Sequence, residues 1–391
     1  MKKKSELFPV SIFVVLLFAY CLSFMFLWDK TLSDNKADIS DRRWLIYSAY
    51  LLSTYSASIW IPHINIKING VHVICLLWCI TMPFIILYNH GDLKEIAITL
   101  LWPLLFEASY FLVKQNKDNL AIFRKLFVAV LLFASFFFFQ SRIDFLSNRL
   151  TQSNTIYFVF LTLPWLLLVK RNTSRSVLLI FYTILGVWSL KRSMMLSLVF
   201  IWSLYLILLW KEKGGKTLKI VFVVILFFAG IYGLDYANNV LKGELVERVY
   251  HEETSEGGDR LAIYQITWAM IQSSSTESIF FGHGHNAVRN NSILEMSAHN
   301  DFLEIIYDYG LVILLLYLGL WVYVFRRCFS LYKIKSVLAF PYTVSLIIFL
   351  VMSMVSHLVL YATYFNYLVV FWGSVEGLYY KKIRMKSLID R

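Results

Sequence analysis

Charge is what this chain has least of. Only 16% of its 391 residues are Asp, Glu, Lys or Arg, while 59% are hydrophobic and 17% aromatic. A soluble chain of that length would not carry so much apolar surface, and the mean hydropathy of +0.63 points to a polytopic membrane protein. Alternation is missing too. Runs such as 220–229 and 311–320 are continuously apolar, which excludes a transmembrane β-barrel, whose strands alternate. Cysteines number four, and Cys21, Cys75, Cys79 and Cys328 lie within or at the end of apolar runs, so an external loop has no disulfide framework. No small-x-small cleavage site follows the apolar run after Lys2, Lys3 and Lys4, so that run reads as an uncleaved first span. Internal repeats are absent and the in-span prolines, such as Pro103 and Pro164, are isolated. Both absences argue against a transporter, whose halves usually repeat and break their helices.

What is present is a series of apolar runs of helical length. They predict an all-α polytopic membrane protein of about twelve transmembrane helices, near 8–28, 44–62, 71–88, 95–113, 126–140, 155–169, 176–190, 193–210, 220–234, 308–325, 337–354 and 357–379. With that count, 24 of the 37 Lys and Arg fall on the side of both termini. The positive-inside bias makes that side cytoplasmic and explains the net charge of +12 through inner-leaflet lipid, with no nucleic acid as partner. The division expected is 1–234 for nine helices, 235–307 for one large external, periplasmic loop, and 308–391 for three helices and a basic cytoplasmic tail.

The polar residues that carry chemistry gather on the external face. The loop is acidic overall, so an arginine that binds an anion there must be placed individually. Arg260 opens a stretch, 260–270, that reads as an amphipathic helix on the outer membrane surface; its plainer reading is an ordinary solvated arginine or a salt bridge to Asp259. Lys191 and Arg192 sit at a tight external turn, against the charge bias. They either snorkel or bind phosphate, which the guanidinium fork matches bidentately. Arg142 and Arg149 occupy another external loop, and nothing in their spacing argues for them. His299 lies just before Asp301, Glu304 and Asp308, which share one helical face. With Ser297 as N-cap, His299 falls in the first helical turn, where the dipole favours a neutral, proton-accepting ring; a surface or capping histidine is the alternative. The run Gly282-His283-Gly284-His285 suits a tight turn, a phosphate cradle or, without a defined third ligand, a metal pair. His72, Cys75 and Cys79 share a face inside an apolar span, where packing is their expected role.

Taken in order, Lys191-Arg192-Ser193, Arg260-x-x-x-Tyr264, Phe281-Gly282-His283-Gly284 and His299-Asn300-Asp301-Phe302-Leu303 followed by Gly310 resemble the O-antigen ligase/polymerase family of bacterial surface-polysaccharide enzymes. The resemblance covers roughly residues 155 to 330; the N-terminal half matches only in being hydrophobic. It implies a GT-C-like, metal-independent glycosyltransferase in the inner membrane, acting on undecaprenyl-diphosphate-linked glycan as donor and acceptor at the periplasmic face and needing no cofactor. In it Arg192 and Arg260 would hold the diphosphate and His299 would act as base. Lys191, Gly282, His283, Asn300, Arg142 and Arg149 would line the substrate site. Membrane lipid and a polysaccharide chain-length regulator are the further partners it suggests. Polymerase is the first reading, ligase to the lipid A core the second, and a lipid-linked oligosaccharide flippase the reading from another class.

Overall fold

The structure is a computed structural model that describes residues 2–33, 39–63, 70–147, 155–169, 171–189, 191–212, 258–356, 358–359 and 362–389. Among these residues every regular element is helical. The helices are α1 (Lys2–Ser33), α2 (Ile39–Trp60), α3 (Gly70–Tyr88), α4 (Leu93–Gln115), α5 (Asn119–Ser147), α6 (Ile156–Phe160), α7 (Leu163–Leu166), α8 (Asn172–Ser189) and α9 (Arg192–Glu212). After the residues outside the description come α10 (Gly258–Gln272), α11 (Thr276–Phe281), α12 (Ala287–Asn291), α13 (Asp301–Lys333), α14 (Ala339–Val355) and α15 (Ala362–Ile389). Among the described residues, five helical segments are long and apolar enough to cross a membrane: α3, α4, 119–140 of α5, 192–210 of α9, and α13. The chain is a multi-pass membrane protein. Of the expected spans, 220–234 lies outside the described residues, as does the first part of the expected loop.

One expected span is not a single helix. Over 155–169 the chain forms two short helices, α6 and α7, that break at Leu161 and Thr162. Pro164 has no amide hydrogen to continue an incoming helix, so it sits in the first turn of α7 instead. Irregular backbone at membrane depth must be shielded by protein, and residues 155–167 are all buried. The Leu161 amide still reaches Tyr157 O at 2.9 Å and the Thr162 amide reaches Val159 O at 3.1 Å. The Thr162 hydroxyl also shares a 2.7 Å hydrogen bond with Tyr182.

The middle of the bundle is α4 packed along α15. Residues 101–113 of α4 are all buried. Lipid supplies no hydrophobic drive between helices, so close association in a membrane needs small residues that let backbones approach. Gly373 and Gly377, one turn apart on α15, provide the gap. A Cβ at Gly373 would stand 2.3 Å from Phe106 O, and one at Gly377 2.6 Å from Tyr110 O. Among the described residues, two contacts between ionisable side chains also lie within the bundle. His72 Nδ1 is 2.7 Å from the fully buried Glu107 carboxylate, and Arg327 donates to Glu376 at 2.6 Å.

The kink in α13 decides where the bundle ends. Gly310 has φ of +78°, and the segment before it, 301–309, holds Asp301, Glu304 and Asp308, all buried. A Cβ at Gly310 would meet Phe280 O at 2.2 Å, and one at Gly282, where φ is +75°, would meet Asp308 O at 2.2 Å. Only glycine tolerates this combination of left-handed backbone and close approach. The two glycines therefore seat the 280–284 turn directly on the kink.

Candidate functional site

Three buried carboxylates on one face of α13 build the site. Sequence spacing placed Asp301, Glu304 and Asp308 together; the structure turns that face inward, and each side chain collects backbone amides from a different segment. Asp301 accepts from Leu358 N at 3.0 Å and Val359 N at 3.3 Å, in the elbow between α14 and α15. Glu304 reaches back to the amides of Ala298 and His299. Asp308 accepts from Val288 N at 2.8 Å, at the start of α12. An unpaired buried carboxyl is costly, and contacts to backbone amides offset part of that cost. The acidic row thus fastens the segment before α13, the start of α12 and the α14–α15 elbow to α13.

His299 stands at the head of this row. The N-cap of α13 is Asn300, whose Oδ1 accepts from Phe302 N and Leu303 N, so the expectation of Ser297 as N-cap and His299 in the first turn is corrected. Asparagine is among the best caps, and once it caps α13 the preceding residue leaves the helix. His299 is half-buried with φ of +53°, immediately outside the helix N-terminus. Asn300 Nδ2 donates to Met354 O at 3.2 Å, so this amide already serves two structural contacts.

Arg260 lies in the first turn of α10, half-buried, one helical turn before Tyr264. The Tyr264 hydroxyl donates to Met354 O at 3.0 Å and lies 3.4 Å from His299 O. Burial raises its pKa, while the nearby Arg260 guanidinium pulls it down. Helix α10 is fixed by Ile263 and Ile271, which pack with Val288, Ala298 and Tyr307 in a small core of their own.

Arg192 comes from the bundle. It begins α9 and is half-buried. Next to it, Ser193 shares a 2.7 Å hydrogen bond with the Tyr157 hydroxyl, and the Tyr157 ring packs edge-on against Tyr364 at 5.5 Å, just past the elbow. Helices α9 and α14 pack together, and Tyr205 meets Phe340 near their other ends at 5.4 Å. Running back from Tyr205 to Arg192 and forward from Phe340 to Met354 spans about 20 Å in each case, at 1.5 Å per residue. An antiparallel pair therefore brings Arg192 and Met354 to one level. Lys191 lies beside them, its ammonium 5.7 Å from the Tyr157 ring centre. Among the described residues, neither the Arg192 nor the Arg260 guanidinium makes a hydrogen bond or an ion pair.

The Gly282–His285 turn is the wall of this region. His283 N donates to Tyr307 O at 3.0 Å and Gly284 N to Asp308 O at 2.9 Å. The His283 ring stacks on Tyr307 at 4.3 Å and its Nε2 shares a 2.8 Å hydrogen bond with Ser274. The His285 ring is hydrogen-bonded to the Tyr309 hydroxyl. Burial lowers the pKa of both imidazoles, that of His285 to about 4. The opposite side is closed by the α3–α4 turn, where Asn89 Nδ2 donates to Phe281 O at 2.9 Å and Tyr88 bonds Glu277. The structure thus places Gly282 and His283 in tertiary contacts that hold the turn. Among the described residues no group of three His, Cys, Asp or Glu side chains is arranged to hold a metal ion.

Lys191 and Arg192 therefore lie at the same end of the bundle as Arg260, His299 and Asn300, and the link between the two groups runs through Ser193, Tyr157, Tyr364 and the α14–α15 elbow. Arg142 lies on α5 with its side chain outside the description, and Arg149 lies outside the described residues. Sequence reasoning did not single out Tyr157, the Tyr264 hydroxyl or the elbow at 354–359, because each acts through a partner distant in sequence.

Residues 176–318 match the family model Wzy_C, described as O-Antigen ligase. No curated protein matches the chain. The matched segment runs from α8 to the middle of α13 and includes Lys191, Arg192, Arg260, the glycine turn and His299. Over that segment, 143 of the 391 residues, the chain is similar to the O-antigen ligase family, which agrees with the resemblance carried by its motifs.

Proposed function

We propose that this protein is a polysaccharide polymerase of the bacterial inner membrane, joining undecaprenyl-diphosphate-linked repeat units at the periplasmic face. In this reading it has twelve spans in a GT-C-like arrangement, with both termini cytoplasmic and 235–307 as the external loop between 1–234 and 308–391. The observation that carries the reading is the pair of guanidinium groups without an ion-pair partner among the described residues, Arg192 from the bundle and Arg260 from α10, at the same helix-terminal end as His299.

The reaction follows from those groups. Arg192 and Arg260 bind the donor diphosphate, and their charge stabilises the negative charge that grows on it as it leaves. His299 accepts the proton of an acceptor sugar hydroxyl. The oxygen attacks the anomeric carbon from the face opposite the diphosphate, the carbon–oxygen bond to phosphate breaks, and its electron pair leaves on the diphosphate, with inversion. A histidine, whose unperturbed pKa is about 6.5, suits that proton transfer near neutral pH. Lys191 adds positive charge on the Arg192 side. The mechanism needs no metal, because the two arginines supply the charge that a divalent cation would bring.

The orientation draws support from the distribution of charge in the fold. Lys114 at the end of α4 and Arg326, Arg327 and Lys333 at the end of α13 lie at the end of the bundle away from His299, where Arg327 pairs with Glu376. A cationic end of this kind belongs in the cytoplasm. Polymerase is preferred to ligase because the external segment is of modest length and offers no second basic site for a phosphorylated core. The test is replacement of the chromosomal gene by His299→Ala. Surface glycan carrying a single repeat unit is the expected result. Loss of all glycan from the core would mean a ligase, and unchanged chain length would sink the enzyme reading.

A further inference from the structure

We propose that Tyr264 is a positioning residue for His299, acting with Asn300 and Asp301 through the α14–α15 elbow; this rests on the base assignment above. The backbone of His299 has φ of +53°, a conformation that costs a β-carbon residue energy and persists only where its surroundings hold it. Those surroundings are unusually explicit. The Tyr264 hydroxyl lies 3.4 Å from the carbonyl oxygen of His299 itself and donates to Met354 O at 3.0 Å. Asn300 Nδ2 donates to the same carbonyl at 3.2 Å. Met354 is in the last turn of α14, where carbonyls have no partner within the helix and must find one elsewhere. Four residues further on, Asp301 takes the amides of Leu358 and Val359.

The elbow is thus gripped from both sides by residues that flank His299 in sequence or in space. It continues through Tyr364 and Tyr157 to Ser193, the neighbour of Arg192. Tyr264 therefore stands where the helix of one anion-binding arginine, the peptide of the base and the framework of the other arginine join. Its contribution falls on the base. Arg260 shares α10 with Tyr264, but that helix is fastened separately by Ile263 and Ile271. Removal of the hydroxyl leaves the arginines in place and frees the His299 peptide to leave its left-handed conformation.

The experiment is steady-state kinetics of the purified full chain on an undecaprenyl-diphosphate-linked repeat unit, comparing Tyr264→Phe, Asp301→Asn and their combination. Tyr264→Phe keeps the ring and should retain the thermal melt. Its kcat should fall roughly tenfold, as for the loss of one hydrogen bond, while KM for the lipid donor stays within about twofold. Asp301→Asn should give the same split, and the double variant should lose less than the product of the two, because both act on one elbow. A raised KM with unchanged kcat would place Tyr264 in donor binding and overturn the proposal, as would no change in either constant. His299→Ala in the same assay separates the causes. If it is inactive while Tyr264→Phe is unaffected, only the positioning role fails; if it retains full turnover, the base assignment fails and takes this proposal with it.

Discussion

Gly282 shows how much rests on a missing methyl group. Its φ of +75° and the 2.2 Å that a Cβ would leave to Asp308 O make alanine doubly unfavourable. Gly282→Ala should lower stability by at least about 2 kcal/mol, seen as an earlier thermal melt in detergent; a variant that melts with the native protein would contradict the seating of the turn on α13. The sequence announced a glycine turn here, but not its partner, since the Gly310 kink lies 28 residues away. His285, in the same turn, makes stability depend on pH. Burial lowers its pKa to about 4 from an unfolded value of about 6.5. The folded state therefore binds fewer protons, and the contribution of His285 is complete above pH 6.5 and is lost as pH falls towards 4. Buried carboxyls act in the opposite sense, so the test is a difference: the melting temperature of the native protein minus that of His285→Phe should fall from pH 7 through 5.5 to 4.5. A difference that stays constant would remove His285 as the cause.

At the scale of elements, the join between α4 and α15 is the most exacting. A Cβ at Gly373 would meet backbone and the Ser109 hydroxyl, whereas one at Gly319 would touch only the tip of the Ile74 side chain, at 3.3 Å. Gly373→Leu should therefore destabilise the bundle by about 3 kcal/mol or more, and Gly319→Ala by much less. Monodispersity and melting in detergent report both; equal losses would mean that the glycine pair on α15 is not what brings the helices together. A second test concerns Glu107. His72→Leu leaves that buried carboxylate without its imidazole and should cost about 3–5 kcal/mol, while His72→Leu with Glu107→Leu should recover most of the loss. Among the described residues the apolar runs were legible as helices, because hydrophobic length and composition act locally. The break at Leu161 was not. An isolated proline such as Pro103 sits inside an unbroken α4, so Pro164 alone could not announce that its span would part; burial of 155–167 by neighbouring helices is what tolerates the irregular backbone.

For the whole molecule, the first question is which face meets which compartment. In a cysteine-free background, Arg289→Cys should react with a membrane-impermeant maleimide from the periplasm, and Lys335→Cys only after the inner membrane is opened; the reverse pattern would invert the orientation. Turnover on the lipid-diphosphate donor should also survive EDTA, and abolition by chelation would end the two-arginine account. The sequence by itself determined that the chain is a bundle of membrane helices with a polar interval, and it marked Arg192, Arg260 and His299, because hydropathy and residue type are properties of position along the chain. Only the tertiary structure decided what those residues stand beside. It turned the acidic face of α13 inward, moved the cap of that helix to Asn300 with His299 outside it, and brought Arg192 to the level of Met354. Those outcomes follow from the close packing of segments far apart in sequence, where buried carboxylates and orphan helix-end carbonyls must find partners, and no local pattern specifies which ones they find.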